Sequence, residues 1–208
     1  MSIIGRLFRR GPDPEATNAV VGMLAKRNVS GQPAANGQAI VRELSFPKGT
    51  RALAVIDLEA GQAPLRHVIA SRIGGDAAGH SGRITVTGIH VTLDRRALPA
   101  QWPPRWATAI HAQPDTAREG VGEARDFAWH PLDATGAAAS EVVELLTRNE
   151  RVARWVNSAL REPGIIQVEV VPSASLVRGA AYRTGEGLPY ATTVDAVVTV
   201  ARAIAGAE

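Results

Sequence analysis

The sequence contains no cysteine among its 208 residues. Disulfides, thiolate zinc sites, iron–sulfur clusters and thiol catalysis are therefore excluded. It also lacks any run of about 18 consecutive apolar residues, the length that a membrane-spanning helix requires. Arg9 and Arg10 interrupt the opening apolar stretch before the hydrophobic region of a secretory signal can form. We therefore expect a cytoplasmic protein.

An excess of positive charge is missing from most of the chain. The formal net charge is +3, with 23 basic and 20 acidic residues. Three arginines, Arg6, Arg9 and Arg10, account for this excess because no acidic residue precedes Asp13. A dedicated nucleic-acid-binding protein usually concentrates positive charge over its docking face. The balanced body therefore argues against nucleic acid as the main partner.

The N-terminal segment, residues 1–12, is both apolar and basic. On a helical wheel its apolar side chains fall within an arc of roughly 140°, and its arginines fall on the opposite arc. The apolar residues are Ile3, Ile4, Leu7 and Phe8, and the basic ones are Arg6, Arg9 and Arg10. This separation is typical of a short helix that lies on an anionic membrane surface. Docking on a partner protein or on the protein's own core would use the same pattern, so these alternatives stay open.

The first part of the body predicts one helix and three strands. The helix begins after Asp13, a favourable N-cap residue followed by Pro14 at the first helical position, and fades near Asn28. Residues 30–38 are predicted to form a loop. Strand-like runs follow at residues 51–58, 65–73 and 83–93, and their short connections predict an antiparallel meander. Alternation in the third run changes phase at Gly88, which predicts a β-bulge there.

The second part predicts two more helices and a later strand. Apolar residues spaced by 3.6 positions indicate a long helix over residues 140–161, and residues 165–171 alternate as a strand. A last helix is expected to begin at Thr192, because Thr192 and Asp195 have the spacing of a capping box. Residues 97–109 contain three prolines and two tryptophans and are expected to be irregular.

This order of elements predicts an α+β fold. We expect a mostly antiparallel sheet, formed by a meander of three strands plus a later strand, packed by three helices. Residues 13–208 are long enough to form one domain with a core that needs no disulfides or metal. A homo-oligomer is compatible with this description.

The histidines are the most obvious candidates for a metal site. His67 and His90 lie on neighbouring predicted strands, with Asp76 and His80 in the loop between them. Their spacing matches none of the paired-histidine motifs of zinc enzymes, so we expect no metal and no other cofactor. The glycine-dense stretch 74–82 lacks the lysine of a phosphate-binding loop and is predicted to be a flexible hairpin loop.

Catalytic motifs are also lacking. The Gly-x-Ser-x-Gly motif that would present a serine nucleophile does not occur. Carboxylate pairs are available in Asp57 with Glu59 and in Glu119 with Glu123, but acid–base work requires burial that a sequence does not establish. We therefore expect a non-enzymatic domain.

The long predicted helix carries a stripe of arginines that could contact phosphates or an acidic partner. Glutamates four residues before two of the arginines favour pairing within the helix, so a solvated face is the preferred interpretation. The stripe consists of Arg148, Arg151, Arg154 and Arg161, and the glutamates are Glu144 and Glu150.

The part of the chain from residue 126 onward resembles a known family. The stretches "DFAWHPLD", "VVELLTRNERVARWV", "GIIQVEVVPSASLV" and "TTVDAVVTVARAI" are similar to the C-terminal half of a family of uncharacterised bacterial domains of unknown function. The resemblance covers residues 126–205, and this chain departs from the family in lacking a membrane-spanning segment. It implies an α+β fold and a link to the membrane surface, and it offers no catalytic residues.

Three functional hypotheses follow. The leading one is a non-enzymatic cytoplasmic bacterial domain, peripheral to the inner membrane or bound to a partner protein through residues 3–10. The second is a small enzyme or ligand-binding domain, with a pocket between the sheet and the tryptophan- and proline-rich segment and with His67, His90 and His111 as its polar residues. The third is nucleic-acid binding through the arginine stripe.

Overall fold

The predicted α+β class is confirmed by a computed structural model, which describes residues 12–44, 46, 49–75, 84–98, 108–114, 127–131, 144, 148–160, 166–171, 175–184 and 187–206. Eight strands and four α-helices lie in these ranges. The strands are β1 (Gly31–Pro33), β2 (Thr50–Leu58), β3 (Leu65–Gly75), β4 (Ile84–Leu93), β5 (Thr108–Pro114), β6 (Phe127–Pro131), β7 (Ile166–Val171) and β8 (Leu176–Thr184). The helices are α1 (Pro14–Ala25), α2 (Gly37–Glu43), α3 (Glu150–Leu160) and α4 (Ala191–Ile204).

All eight strands belong to one antiparallel sheet with the order β1-β2-β3-β4-β8-β7-β5-β6. The first four follow chain order, and the predicted meander is therefore confirmed as β2, β3 and β4. The late strand β8 pairs with β4, which joins the C-terminal half of the sheet to the meander.

Buried apolar residues cover both faces of the meander. Successive strand residues point to opposite faces, and neighbours in β2 and β3 accordingly belong to two different clusters. Helices α1 and α4 cover one face, where their side chains Val20, Leu24, Val194 and Val197 cluster with Ile56, Val68, Ile89 and Val91 of the sheet. Helix α2 covers the other face, where Ile40 and Leu44 cluster with Val55 and Ile69. We call these the α1/α4 face and the α2 face.

The start of α1 agrees with the sequence prediction. Asp13 is the N-cap, and its side chain accepts a hydrogen bond of 3.0 Å from the backbone N–H of Glu15. The helix ends at Ala25, and Asn28 closes the following turn with a positive φ of 56°.

The predicted bulge at Gly88 is wrong. The register between β3 and β4 is regular on both sides of the Ser71–Gly88 pair. The change of phase has a different cause, since Thr87 on the α1/α4 face is fully buried among apolar neighbours and Thr is a polar residue there. The irregularity in this pair of strands lies between Leu65 and His67.

The predicted loop and irregular segments also contain regular structure. Residues 30–38 include β1 and the first residues of α2, and residues 97–109 run into β5 at Thr108. Both were hidden because β1 has only three residues and includes a proline, and because β5 ends in one. Strand propensity is a weak signal in such short segments.

The predicted helix 140–161 is interrupted in the part that the structure describes. Glu144 is helical, but residues 148 and 149 lie outside the helix and α3 begins at Glu150. Asn149 caps this start, because its side-chain oxygen accepts a hydrogen bond of 3.0 Å from the backbone N–H of Val152. A polar residue that can form this bond competes with helix continuation.

The predicted capping box of the last helix is wrong. Helix α4 begins at Ala191 with Tyr190 as the N-cap, and no side chain caps it. Asp195 is buried and forms an ion pair with Arg27, which joins the start of α4 to the turn after α1. None of the described helices is both long and apolar enough to cross a membrane.

Candidate functional site

A pocket of about 400 Å³ opens where three meander strands meet at one end of the sheet. The end of β2, the start of β3 and the residue after β4 converge there because antiparallel neighbours alternate in direction. The lining comprises Asn36, Asp57, Leu58, Glu59, Ala60, Ala63, Pro64, Leu65, Arg66, His67 and Asp94. Nine of these eleven residues come from the short connection between β2 and β3 and its two ends, so the pocket is largely a feature of one hairpin.

His67 reaches this pocket because the strand is irregular beside it. In a regular strand Leu65 and His67 would lie on one face. The register shift between them instead leaves Leu65 in the cluster of the α1/α4 face, and His67 lies opposite Thr92 and Asp57 on the neighbouring strands.

Both nitrogens of the His67 imidazole have protein partners. Nδ1 lies 2.7 Å from the hydroxyl oxygen of Thr92, and that oxygen also accepts a hydrogen bond of 3.1 Å from the backbone N–H of His67. Nε2 lies 3.3 Å from Oδ1 of Asp57. The imidazole of His67 therefore lies between the hydroxyl of Thr92, at hydrogen-bond distance, and the carboxylate of Asp57, at ion-pair distance.

The surroundings of the His67 ring favour its neutral form. Burial lowers its pKa from the ordinary value of 6.5, and the charge of Arg66 lowers this pKa further. The carboxylates of Asp57 and Glu43 act in the opposite direction without reversing the shift. Both carboxylates of the predicted Asp57–Glu59 pair line the pocket, and Asp57 is the one that contacts His67.

The charges of the pocket lining are unbalanced. Three carboxylates, those of Asp57, Glu59 and Asp94, face one guanidinium, that of Arg66. Arg66 lies 4.0 Å from Asp94, and both side chains are largely exposed, so this ion pair is weak. Asp94 is held in place because its side chain accepts a hydrogen bond of 3.1 Å from the backbone N–H of Arg96.

His90 lies on the same face of the sheet as His67 but does not line the pocket. Its ring is buried, its Nε2 lies 2.6 Å from the hydroxyl of Ser71, and Phe46 contacts its edge with ring centroids 4.6 Å apart. Burial, together with the charge of Arg178, lowers the pKa of His90 to about 3. This histidine is a neutral core residue.

The remaining candidates of the sequence analysis are not brought to this pocket by the described structure. His111 is at a backbone position of β5 opposite His130, and His80 and Asp76 lie outside the described residues. Within the described part of the chain, no group of three or more His, Asp or Glu side chains could hold a metal ion.

The predicted membrane- or partner-binding residues lie outside the described part of the chain. They are Ile3, Ile4, Arg6, Leu7, Phe8, Arg9 and Arg10. The tryptophan- and proline-rich residues 102–106 and the arginine Arg161 lie outside it as well. Of the arginine stripe, Arg148, Arg151 and Arg154 are exposed, and Arg148 forms the predicted ion pair with Glu144.

No protein-family model, no curated protein and no solved structure matches the chain. The resemblance of residues 126–205 to a bacterial domain family therefore stays a prediction.

Sequence reasoning missed Thr92, which contacts His67, and Asp94, which lines the pocket beside it. Thr92 lies within the predicted strand 83–93, and neither residue was a candidate. Their proximity to His67 depends on the register of β3 and β4, which cross-strand pairing sets and a single sequence does not state. The one available signal was Asp94 directly after a strand and ahead of two arginines, a pattern typical of a capped turn.

Proposed function

We propose that this chain is a binding domain whose small-molecule ligand occupies the pocket around His67. The observation that carries the proposal is the set of polar side chains at that pocket: His67 with its two protein partners, beside three carboxylates and one guanidinium. Ligand pockets typically have volumes of about 300–1,000 Å³ and a small number of placed polar groups. A volume of about 400 Å³ falls in this range.

Binding is favoured over catalysis by the position of Thr92, whose hydroxyl is the one that contacts His67 within the described part of the chain. The side chain of Thr92 lies behind the imidazole and does not line the pocket, and Thr92 is 7% exposed. A nucleophile has to reach the substrate with its base in hydrogen-bond range. The imidazole stands between this hydroxyl and the cavity.

A thermal-shift screen of polar metabolites against the wild-type protein and the His67→Gln variant tests this proposal. Expected is at least one compound that raises the melting temperature of the wild type and loses this effect in His67→Gln. Glu15→Gln is the control, because Glu15 is exposed at the start of α1, remote from the pocket lining. If every stabilising compound raised the melting temperature of the wild type and of His67→Gln equally, the ligand would bind elsewhere and the proposal would be contradicted.

We also propose that residues 3–10 dock this domain on an anionic membrane surface or on a partner protein. The separation of Ile3, Ile4, Leu7 and Phe8 from Arg6, Arg9 and Arg10 supports this second function. Each arginine near an anionic leaflet contributes about 1 kcal/mol, so binding would be weak and reversible.

Co-sedimentation with vesicles of phosphatidylcholine and phosphatidylglycerol tests the membrane form of this second proposal. The triple variant Arg6→Ser, Arg9→Ser, Arg10→Ser, and a chain that begins at Pro12, should lose binding. The double variant Arg95→Ser, Arg96→Ser removes exposed arginines elsewhere and should keep it. Negligible binding of the full chain would end the membrane form and leave a partner protein as the only docking surface.

A further inference from the structure

The hydrogen atoms of the His67 site can be assigned from its distances. The hydroxyl oxygen of Thr92 already accepts the backbone N–H of His67 at 3.1 Å, and its other contact within hydrogen-bond range is Nδ1 at 2.7 Å. Among the described residues, Thr92 has no other side-chain hydrogen bond. A hydroxyl oxygen can accept two hydrogen bonds, so these two contacts alone fit either tautomer. The Nδ1–H tautomer would leave the unprotonated Nε2 facing the Asp57 carboxylate at 3.3 Å, and this repulsion favours the form in which Thr92 donates to Nδ1 and the ring carries its hydrogen on Nε2.

This tautomer turns the imidazole toward Asp57. The Nε2–H group faces Oδ1 of Asp57 at 3.3 Å, too poorly aligned to count as a hydrogen bond. Oδ1 is buried, and no described donor is aligned with it. A buried acceptor without a donor is uncommon in folded proteins and costs free energy.

The pocket lining therefore offers more hydrogen-bond acceptors than donors to a ligand. Nδ1 of His67 is taken up by Thr92, the Nε2–H group faces Asp57, and the single guanidinium of Arg66 is outnumbered by the three carboxylates Asp57, Glu59 and Asp94. An anionic ligand would meet this negative charge, whereas an ammonium group would bring donors and the opposite charge.

We propose that the ligand is a small organic cation whose ammonium group is recognised by Asp57, and that Thr92 is the positioning residue that holds His67 in the Nε2–H form. This inference rests on the proposed binding function of the pocket. It adds a class of ligand and a role for a residue that does not touch the ligand.

The ligand class is tested with three probes that share one ring: cyclohexylamine, cyclohexanecarboxylate and cyclohexanol. Each is titrated at pH 7.5 into the ¹⁵N-labelled full chain, and amide shifts of residues 57–67 are followed. Expected is binding of the amine at least tenfold tighter than that of the carboxylate. Asp57→Asn should weaken amine binding at least fivefold, and Glu15→Gln should leave it unchanged.

The outcomes separate this inference from the proposal beneath it. Equal or tighter binding of the carboxylate at the same residues overturns the inference and leaves a binding pocket. Perturbation of the pocket by none of the three probes contradicts the binding function and the inference together.

The role of Thr92 is tested without any ligand. Long-range ¹H–¹⁵N spectra of the His67 ring should report the Nε2–H tautomer in the wild type and in Thr92→Ser. Thr92→Val removes the hydroxyl, and the ring should then populate both tautomers. An Nδ1–H ring in the wild type would overturn the assignment.

Discussion

At the scale of single residues, two histidines on one face of the sheet have opposite environments. His67 lies near the start of β3, where the sheet borders the pocket, and 25% of its side chain is exposed. His90 lies two residues before Thr92 in the middle of the sheet and is 2% exposed beneath Phe46. Residue type alone did not distinguish them, because the difference comes from which residues cover the strand at each point.

The buried Ser71–His90 pair depends on a glycine. A Cβ atom added at Gly88 would lie 2.7 Å from the Ser71 hydroxyl and 2.9 Å from His90 Nε2. Both distances are shorter than real Cβ contacts, and Gly88 has neighbouring strands on both sides, so the backbone has little freedom to move away. The glycine therefore makes room for a hydrogen bond and is not the site of a bulge.

Gly88→Ala is expected to lower the free energy of unfolding by roughly 1–3 kcal/mol, because it overpacks the core at the Ser71–His90 pair. Urea denaturation measures the change. Gly22→Ala is the matched control, since an added Cβ at Gly22 has no neighbour within 4 Å and Gly22 lies inside α1. The control should stabilise the protein by roughly 0.5–1 kcal/mol through helix propensity. Equal effects of the two substitutions would contradict the packing argument.

At the scale of elements, the strongest periodic signals predicted the meander strands and the start of α1 correctly but missed an interruption in the helix over residues 140–161. The strand-like runs predict the meander strands. The start of α1 is predicted by Asp13, an N-cap residue directly before Pro14. The helix over 140–161 also has a clear period of 3.6, but Asn149 starts a new helix within it. A single side-chain hydrogen bond to the backbone can end one helix and start another, and the 3.6-residue periodicity of apolar residues does not reveal such a break.

The cap at the start of α3 can be tested directly. Asn149→Ala removes the hydrogen bond to the Val152 amide and should lower the free energy of unfolding by about 0.5–2 kcal/mol. Asn149→Ser keeps a capping oxygen and should restore most of this loss. If Asn149→Ala is as stable as the wild type, the helix does not depend on this cap, and a continuous helix through residue 149 becomes the better description.

At the scale of the whole molecule, the pocket illustrates what a sequence read alone does not give. Its lining comes from residue 36 before α2, from residues 57–67 of one hairpin, and from residue 94 after β4. The hairpin part was within reach, because His67 and the Asp57–Glu59 pair were already candidates. Thr92 and Asp94 were not, because Thr92 contacts His67 and Asp94 joins the pocket lining only once β4 has paired with β3 in one particular register.

The stability of the whole molecule should depend on the neutral form of His90. In the unfolded chain this histidine takes up a proton near pH 6.5, whereas in the folded protein its pKa is about 3. Between these values the unfolded state binds more protons, so folding stability falls as the pH falls, by about 1.4 kcal/mol for each pH unit. The titration of His90 leaves the free energy of unfolding unchanged above pH 6.5. At pH 4 it should lower the free energy of unfolding by roughly 3 kcal/mol relative to that value.

Urea denaturation of the wild type and of His90→Gln between pH 7.5 and 4 measures this dependence. Since glutamine does not titrate, the difference in stability between the two proteins should change steadily as the pH falls below 6.5. His67→Gln is the comparison, and it should give a smaller change because His67 is half-buried and faces Asp57. If His90→Gln does not fold, the His90 ring signals of the wild type serve instead, and they should stay in the neutral form down to pH 4. A His90 ring that protonates near pH 6 would mean that solvent reaches it, and the packing of Phe46 and α2 over this face would then be wrong.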